Sequence, residues 1–163
     1  MKIPDLSLQK SSINSIKSHL KMIDDMMKTE LMTANKLLLT YGQGFLMNEK
    51  TFTGKRKQAK MCFMNSYRLA TNNSKFTYVE GQVDIGPFPI EHAWVVDSSG
   101  QIYDPTLTPP EDGQTIYPHG YFGIPFKTDY ILKVAVRSGV YGILSYTNRD
   151  LVMGKDLPNE FLQ

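Results

Sequence analysis

Cysteine is nearly absent from this chain of 163 residues, since Cys62 is its only thiol. One cysteine excludes an internal disulfide and a zinc site built from several thiolates. The three histidines, His19, His92 and His119, do not stand at metal-ligand spacing from one another or from Cys62. We therefore expect no metal and no other cofactor, and a lone thiol suggests a reducing compartment, the cytoplasm.

The chain also lacks an excess of one charge, because it contains 18 basic and 16 acidic residues and its net charge is only +2. Such a balance creates no large field that would attract nucleic acid. Long apolar runs are missing too: no stretch approaches the roughly 18 residues of a membrane span. The opening "MKIPDLSLQKSS" has no signal-peptide core. We expect neither a membrane nor a nucleic-acid partner.

One local concentration of charge does occur, in the segment "KTFTGKRKQAK" at residues 50–60. Its basic residues are Lys50, Lys55, Arg56, Lys57 and Lys60. Two interpretations remain open, a solvated loop and a phosphate-binding patch, and the loop is favoured. No aromatic residues alternate with these charges as they do on surfaces that bind single-stranded nucleic acid.

The remaining composition is that of a globular protein, with 41% hydrophobic and 21% charged residues. A chain of this length predicts one domain, residues 1–163, with enough apolar surface for a core. Within it we distinguish a helical N-terminal part at residues 1–45, a core at residues 58–126, and a C-terminal helix and tail at residues 127–163.

Helical periodicity dominates residues 7–39, where apolar side chains recur mostly every three or four positions. A break near residues 29–33 would give helices of ordinary length, and the glycines of "YGQGF" end the second one. A shorter helix is predicted at residues 60–71, with no obvious capping residue at its start. Another is predicted from residue 130 to about residue 137.

The period changes to two beyond the central helix. The segments "KFTYVEGQVDI", "IEHAWVV" and "QIYD" are predicted strands, and "DSSG" between the last two indicates a hairpin. The prolines of "PTLTPPEDGQ" indicate a loop, while "YFGIPF" is short and apolar. Helices followed by antiparallel strands predict an α+β fold.

The hairpin carries two residues of chemical interest, His92 and Asp104. Side chains alternate along a strand, so His92, Trp94 and Val96 share one face. If the hairpin has an even register, Asp104 lies opposite or diagonal to the His92–Trp94 pair and accepts an imidazole N–H. An odd register would place His92 and Asp104 on opposite faces.

Cys62 stands near the start of the predicted central helix. Free N–H groups and the partial positive charge at a helix start stabilise a thiolate and an oxyanion. A thiolate, an imidazole and a carboxylate are the groups that acyl transfer requires. Each also has a simpler interpretation: a small buried hydrophobe for Cys62, a core histidine for His92, and an Asx-Pro turn for Asp104.

The segments "CFMNSYRLA", "YVEGQV", "EHAWVV" and "YDPT", in this order, resemble the core of the transglutaminase-like branch of papain-like cysteine enzymes. The resemblance covers residues 61–106. It implies that a helix beginning at Cys62 packs on an antiparallel sheet. It further implies Cys62 as nucleophile, His92 as general base and acid, and Asp104 as the orienting carboxylate. Trp94 would pack beside the site, and a purely structural role for it is an equal alternative.

Two features depart from that family. A glycine commonly precedes the family's cysteine, whereas Lys60 and Met61 precede Cys62 here. The family's oxyanion donor has no clear counterpart. Asn65 and either Gln43 or Gln58 are the candidates, although an ordinary helix-surface amide is the simpler interpretation of each.

The expected function is hydrolysis of an amide or ester, as in a protease, amidase or deamidase, through an acyl-enzyme. The substrate would be a peptide, a protein or a small amide or ester. One alternative is a transglutaminase-type acyltransferase. Another is a non-catalytic interaction module that binds a protein partner through its methionine-rich N-terminal helices.

Overall fold

The computed structural model describes residues 3–28, 33–53, 55–107, 118–145 and 148. They fold as an α+β structure of helices packed on an antiparallel sheet, as predicted. The elements are α1 (Leu6–Met27), α2 (Ala34–Tyr41), β1 (Gln43–Phe45), α3 (Cys62–Asn72), β2 (Thr77–Asp84), β3 (Pro89–Val96), β4 (Ile102–Tyr103), β5 (Gly120–Phe126) and α4 (Thr128–Ser138).

The two N-terminal helices are separated where the sequence predicts a break. Asp5 caps the start of α1 by accepting the Leu8 N–H at 2.9 Å. The helix ends at Lys28, whose φ of 44° lies in the left-handed region. Thr33 then caps α2 by accepting the Lys36 N–H at 3.1 Å. Both caps satisfy N–H groups that a helix start otherwise leaves without a partner.

The sheet has the order β1-β5-β2-β3-β4, and every pair in it is antiparallel. Strand β2 lies at its centre, bonded to β5 on one side and β3 on the other. The segment "YFGIPF", left without an assignment from the sequence, is therefore a fully buried strand between β1 and β2. The three residues of β1 were also not predicted as a strand, although α2 does end at Tyr41 as expected.

The segment that follows β1 returns to the far edge of the sheet. The Thr51 carbonyl accepts the Asp104 N–H at 3.0 Å, and the Asn48 amide bonds Gln101. These contacts join the end of β1 to the end of β4 and curl the sheet. The basic residues at positions 50–60 that the structure describes are exposed and irregular, which agrees with the favoured loop interpretation.

Each face of the sheet buries its own apolar cluster. The helices cover the face that carries Tyr78, Ala93, Val95, Phe122 and Ile124. The opposite face carries a second cluster, which consists of Phe45, Met47, Val79, Val83, Trp94, Val96, Ile102 and Tyr121. A sheet buried on both faces explains why β5 is almost continuously apolar instead of alternating.

Helix α3 begins at Cys62 and ends one residue beyond the predicted boundary. The Ser66 hydroxyl donates to the Ala93 carbonyl at 2.9 Å, and both groups are buried. This bond fixes α3 on β3. Helix α4 spans the predicted C-terminal helix, whereas residues 108–114 of the predicted proline loop lie outside the described residues.

No helix in the described ranges is long and apolar enough to cross a bilayer. The C-terminal end of α1 leaves Met22, Met26 and Met27 exposed. A partner for these side chains stays a prediction.

Candidate active site

The hairpin between β3 and β4 has the even register. Val95 pairs with Tyr103 and Val96 with Ile102, so Asp104 continues opposite Trp94 and diagonal to His92. Gly100 closes the turn with φ of 79°, and its N–H reaches the Asp97 carbonyl at 2.9 Å. This left-handed conformation favours glycine, as the sequence suggests.

His92 and Asp104 are in direct contact. His92 Nε2 lies 2.7 Å from Asp104 Oδ2, and both residues are only 2% exposed. Burial opposes ionisation of both groups. Their mutual attraction outweighs that cost, because the pKa of Asp104 is lowered and the pKa of His92 is raised to about 10. The attraction within the pair therefore favours an imidazolium beside a carboxylate.

Asp104 also accepts hydrogen bonds from two backbone N–H groups and from a tyrosine hydroxyl. Thr106 and Leu107 each donate a backbone N–H to Oδ1 at 2.9 Å, and Tyr121 donates its hydroxyl to Oδ2 at 2.8 Å. The two backbone bonds form because the chain turns at Pro105. Asp104 thus opens an Asx-type turn, and its carboxylate also contacts the imidazole.

Cys62 is the first residue of α3, follows Met61 without a side-chain cap, and is 8% exposed. Burial, the largest influence on the pKa of the His92 imidazole, lowers it, whereas Asp104 and then the nearby Cys62 raise it. Because Nε2 contacts Asp104, Nδ1 is the ring nitrogen left for the thiol. The structure therefore brings Cys62, His92 and Asp104 together.

Trp94 is fully buried beside the histidine. Its indole lies nearly parallel to the His92 imidazole, with centroids 6.3 Å apart and an angle of 17° between the planes. The edges of Phe45 and Tyr121 enclose it at 5.6 and 5.0 Å. A Cβ on Gly123 would come within 2.7 Å of the indole, so this glycine is what allows it to lie across the sheet.

Asn65 is buried, contrary to its simpler interpretation as a surface amide. Its Nδ2 donates to the Gln58 carbonyl at 2.8 Å and to the Thr106 hydroxyl at 3.0 Å. These bonds tie α3 to the basic segment and to the turn after Asp104. The donors of Asn65 are thus engaged within the protein.

Gln43 does not join the site. Gln43 lies on β1 and pairs with Gly123 of β5. Strand β1 is three strand spacings, about 14 Å across the sheet, from His92 on β3. Its side chain is exposed and lines a surface groove with Ser99 and Gln101 at the hairpin tip. The surface interpretation is correct for this residue.

A second buried carboxylate, Glu80, lies on the helix-covered face of β2. It accepts the Tyr78 hydroxyl at 2.8 Å and the backbone N–H groups of Ile143 at 2.6 Å and Leu144 at 2.9 Å. Burial raises the pKa of Glu80 to about 7, although these bonds act in the opposite direction. Glu80 thereby anchors the segment after α4 to the sheet.

Sequence reasoning missed Tyr121, and it considered Glu80 only as a substitute for Asp104 as the orienting carboxylate. Tyr121 reaches Asp104 only because β5 inserts beside β2, and Glu80 is marked in the sequence only as an acidic residue within a predicted strand. A tyrosine at the start of a buried strand and an acid inside another strand are weak signals. Both became informative once the strand order was known.

Comparisons with protein-family models, curated proteins and solved structures find no match to this chain. The geometry of its residues is therefore what bears on function. It consists of a thiol at a helix start, an imidazole near it, and a carboxylate that is hydrogen-bonded to that imidazole.

Proposed function

We propose that this protein is a cysteine-dependent hydrolase of amides or esters that works through an acyl-enzyme. The observation that carries the proposal is the connected series of Cys62, His92 and Asp104, with His92 Nε2 and Asp104 Oδ2 2.7 Å apart. Each group in the series has a chemical role that its neighbour supports.

Acylation uses the ion pair between Cys62 and His92. The imidazolium stabilises the thiolate beside it, so the sulfur attacks the substrate carbonyl carbon and forms an S–C bond. When the tetrahedral intermediate collapses, the C–N or C–O bond breaks. His92 gives its proton to the departing amine or alcohol. The acyl group then remains on Cys62 as a thioester.

Deacylation reverses the proton movements. His92, now neutral, removes a proton from a water molecule as the water oxygen attacks the thioester carbonyl. The S–C bond breaks, the acid product leaves, and the thiolate and imidazolium are restored. Asp104 keeps the ring oriented throughout and stabilises its charge.

The oxyanion donors that this proposal assigns are backbone groups. The N–H of Asn65 bonds the Met61 carbonyl at 2.8 Å, which leaves the N–H groups of Cys62, Phe63 and Met64 without an acceptor in the helix. N–H groups at a helix start can hold the negative oxygen that develops next to the sulfur. Asn65 and Gln43 are not needed for this role.

The proposal includes kinship with the transglutaminase-like branch of papain-like enzymes. Support comes from the order of a helix-start Cys62, His92 on one strand and Asp104 after the next. Lys60 adds to it, because its φ of 63° is a conformation that favours the glycine commonly found near this position in the family. We propose that water, and not an amine, is the second reactant, which removes the acyl group from Cys62.

Alkylation by iodoacetamide tests whether the thiol is activated. Sulfur displaces iodide and forms an S–CH₂ bond, and mass spectrometry follows the modification of Cys62. We expect labelling at pH 7 to be about tenfold faster than that of a free thiol of pKa ~8.5. The variant His92→Gln should lose this advantage, because its neutral amide cannot stabilise a thiolate.

The matched control is His19→Gln, which removes a half-buried histidine on α1, away from the site. It should label like the parent. Incubation with p-nitrophenyl acetate then tests turnover, and an acetyl adduct on Cys62 should form and disappear as acetate is released. Labelling no faster than the free thiol, or equal in His92→Gln and the parent, would overturn the proposal.

A further inference from the structure

A groove lies between α3 and the basic segment that precedes it in the chain. It consists of two adjoining cavities of about 220 and 250 Å³, which share Lys57, Leu69 and Pro105 as lining residues. Along α3 the groove extends from Asn65 to Asn72, which is about 10 Å at the rise of an α-helix. That length matches about three residues of extended peptide.

The backbone of the basic segment is held beside α3 by hydrogen bonds. The Lys57 N–H donates to the Pro105 carbonyl at 2.8 Å, and the Gln58 carbonyl accepts the side-chain amide of Asn65 at 2.8 Å. The same amide reaches the Thr106 hydroxyl at 3.0 Å. The segment is therefore a loop, as predicted, but one whose side chains are kept at a fixed place over the groove.

Basic side chains stand on both sides of the groove. Lys55 and Lys57 line it from the basic segment and Arg68 from α3, and all three are exposed. None of them forms an ion pair with a carboxylate of the described residues. Asp104, the one acidic residue in the described lining, is buried within its own hydrogen bonds. The nearby Asp97 bonds within its hairpin and lines neither cavity.

Apolar side chains form the floor between these charges. Leu69 and Pro105 line both cavities, and Phe76 and Tyr103 line one of them. Phe76 and Tyr103 are half-buried and pack edge to face, with ring centroids 5.0 Å apart. Stacking of nucleic-acid bases requires open aromatic faces, whereas an apolar floor between positive rims suits a peptide.

We propose that this groove binds an acidic peptide segment of another protein, in which carboxylates flank aliphatic side chains. The carboxylates accept hydrogen bonds from Lys55 and Lys57 on one side and from the guanidinium of Arg68 on the other. The aliphatic side chains pack on Leu69 and Pro105. The inference goes beyond the proposed function, because neither the thiol nor the imidazole of the candidate active site lines the groove.

Four fluorescein-labelled probes test this assignment by fluorescence anisotropy on the full chain. The acidic peptide alternates three glutamates with three leucines and ends in an amide. A second peptide replaces glutamate with glutamine, and a third replaces leucine with serine. Single-stranded DNA of four thymidines carries the same three negative charges. We expect the acidic peptide to bind about tenfold more tightly than the glutamine peptide, since each exposed ion pair contributes a factor of roughly two to five.

The serine peptide and the DNA should both bind more weakly than the acidic peptide, because neither can place aliphatic side chains on the apolar floor. Added salt should weaken the binding of the acidic peptide more than that of the glutamine peptide.

Paired variants locate the binding. Lys57→Gln and Arg68→Gln should each weaken binding of the acidic peptide about threefold. Arg56→Gln is the matched control for the first, since it removes a positive charge from the preceding residue, which lines neither cavity. Arg137→Gln, on the exposed surface of α4, is the control for the second. Both controls should bind the acidic peptide like the parent, and urea unfolding should show equal stability throughout.

Three outcomes would overturn the assignment. The first is equal affinity of the parent for the glutamate and glutamine peptides. The second is equal weakening by Arg56→Gln and Lys57→Gln, because the attraction would then come from net charge and not from the groove. The third is tighter binding of the DNA than of the acidic peptide, which would assign the groove to nucleic acid. The hydrolase proposal is tested separately, by the alkylation rate of Cys62.

Discussion

At the scale of single residues, the decisive side chain is Asp104. It is 2% exposed and carries a charge, which is costly unless partners surround it. His92, Tyr121, and the N–H groups of Thr106 and Leu107 supply those partners. With all of them present, the carboxylate stays ionised and the imidazole beside it stays protonated.

Tyr121→Phe tests this account of the carboxylate. Burial and the nearby Asp104 raise the pKa of Tyr121 far above 10, so its hydroxyl is always a donor. Losing that donor should lower the free energy of unfolding by about 1.5–3 kcal/mol, the range for a hydrogen bond to a charged group. Urea unfolding measures the change, and alkylation of Cys62 should also slow.

Tyr67→Phe is the control for this change. Tyr67 is half-buried on α3, and no hydrogen bond of its hydroxyl to a described residue is present. Its replacement should change the unfolding free energy by less than about 0.5 kcal/mol. Equal losses in the two variants would contradict the role given to Tyr121.

At the scale of elements, the site depends on how closely β2 and β5 approach beside His92. A Cβ on Gly81 would lie 2.2 Å from the Phe122 carbonyl oxygen and 2.4 Å from the Gly123 Cα. These are backbone atoms, which cannot move aside without disturbing the strand pairing. A glycine is thus needed at position 81 because the neighbouring backbone leaves no space for a Cβ, and not because of the backbone angles of Gly81.

Gly81→Ala should therefore destabilise the fold by about 2 kcal/mol or more, as overpacking of a core does. Gly44→Ala is the comparison, since a Cβ there meets only side-chain atoms of Ile13, the nearest being Cδ1 at 2.9 Å. That side chain can rotate, so the loss should be smaller. Thermal or urea unfolding of the two variants checks the order, and a greater loss in Gly44→Ala would refute it.

At the scale of the whole molecule, stability should depend on pH in a direction set by three buried groups. His92, with its pKa raised to about 10, stabilises the fold fully below pH 6.5 and loses this contribution as the pH rises through 10. Glu80, raised from 4.5 to about 7, contributes fully below pH 4.5 and loses its contribution as the pH rises through 7. Asp104, whose pKa is lowered, contributes above 3.8 and loses its contribution in acid.

The free energy of unfolding should therefore be highest near about pH 4 to 5 and should fall toward pH 10. Urea unfolding at pH 5, 7 and 9 and constant ionic strength measures the trend. Glu80→Gln should reduce the fall between pH 5 and 7, where Tyr78 and Glu91 are the ionisable groups that face Glu80. A stability that rises from pH 5 to 9 would contradict these assignments.

Much of the fold was predictable because it is local. Helices α1, α3 and α4, the break after α1, and strands β2 and β3 follow from periodicity, and Gly100 fixes the hairpin turn. The register that brings Asp104 to His92 was predicted as one of two options, and the even one occurs. Periodicity failed for β1, which is too short to show it, and for β5, which is buried on both faces.

The sequence by itself determined the α+β class and placed a thiol, an imidazole and a carboxylate on consecutive elements, since these properties depend on residues close along the chain. Only the tertiary structure decided that β5 lies beside β2, that Tyr121 completes the shell of Asp104, and that Lys57 and Arg68 line one groove. Strand order and cavities arise from contacts between distant segments, and no single segment encodes them. The physical reason is that a buried charge or amide is stabilised by whichever partners the fold brings to it.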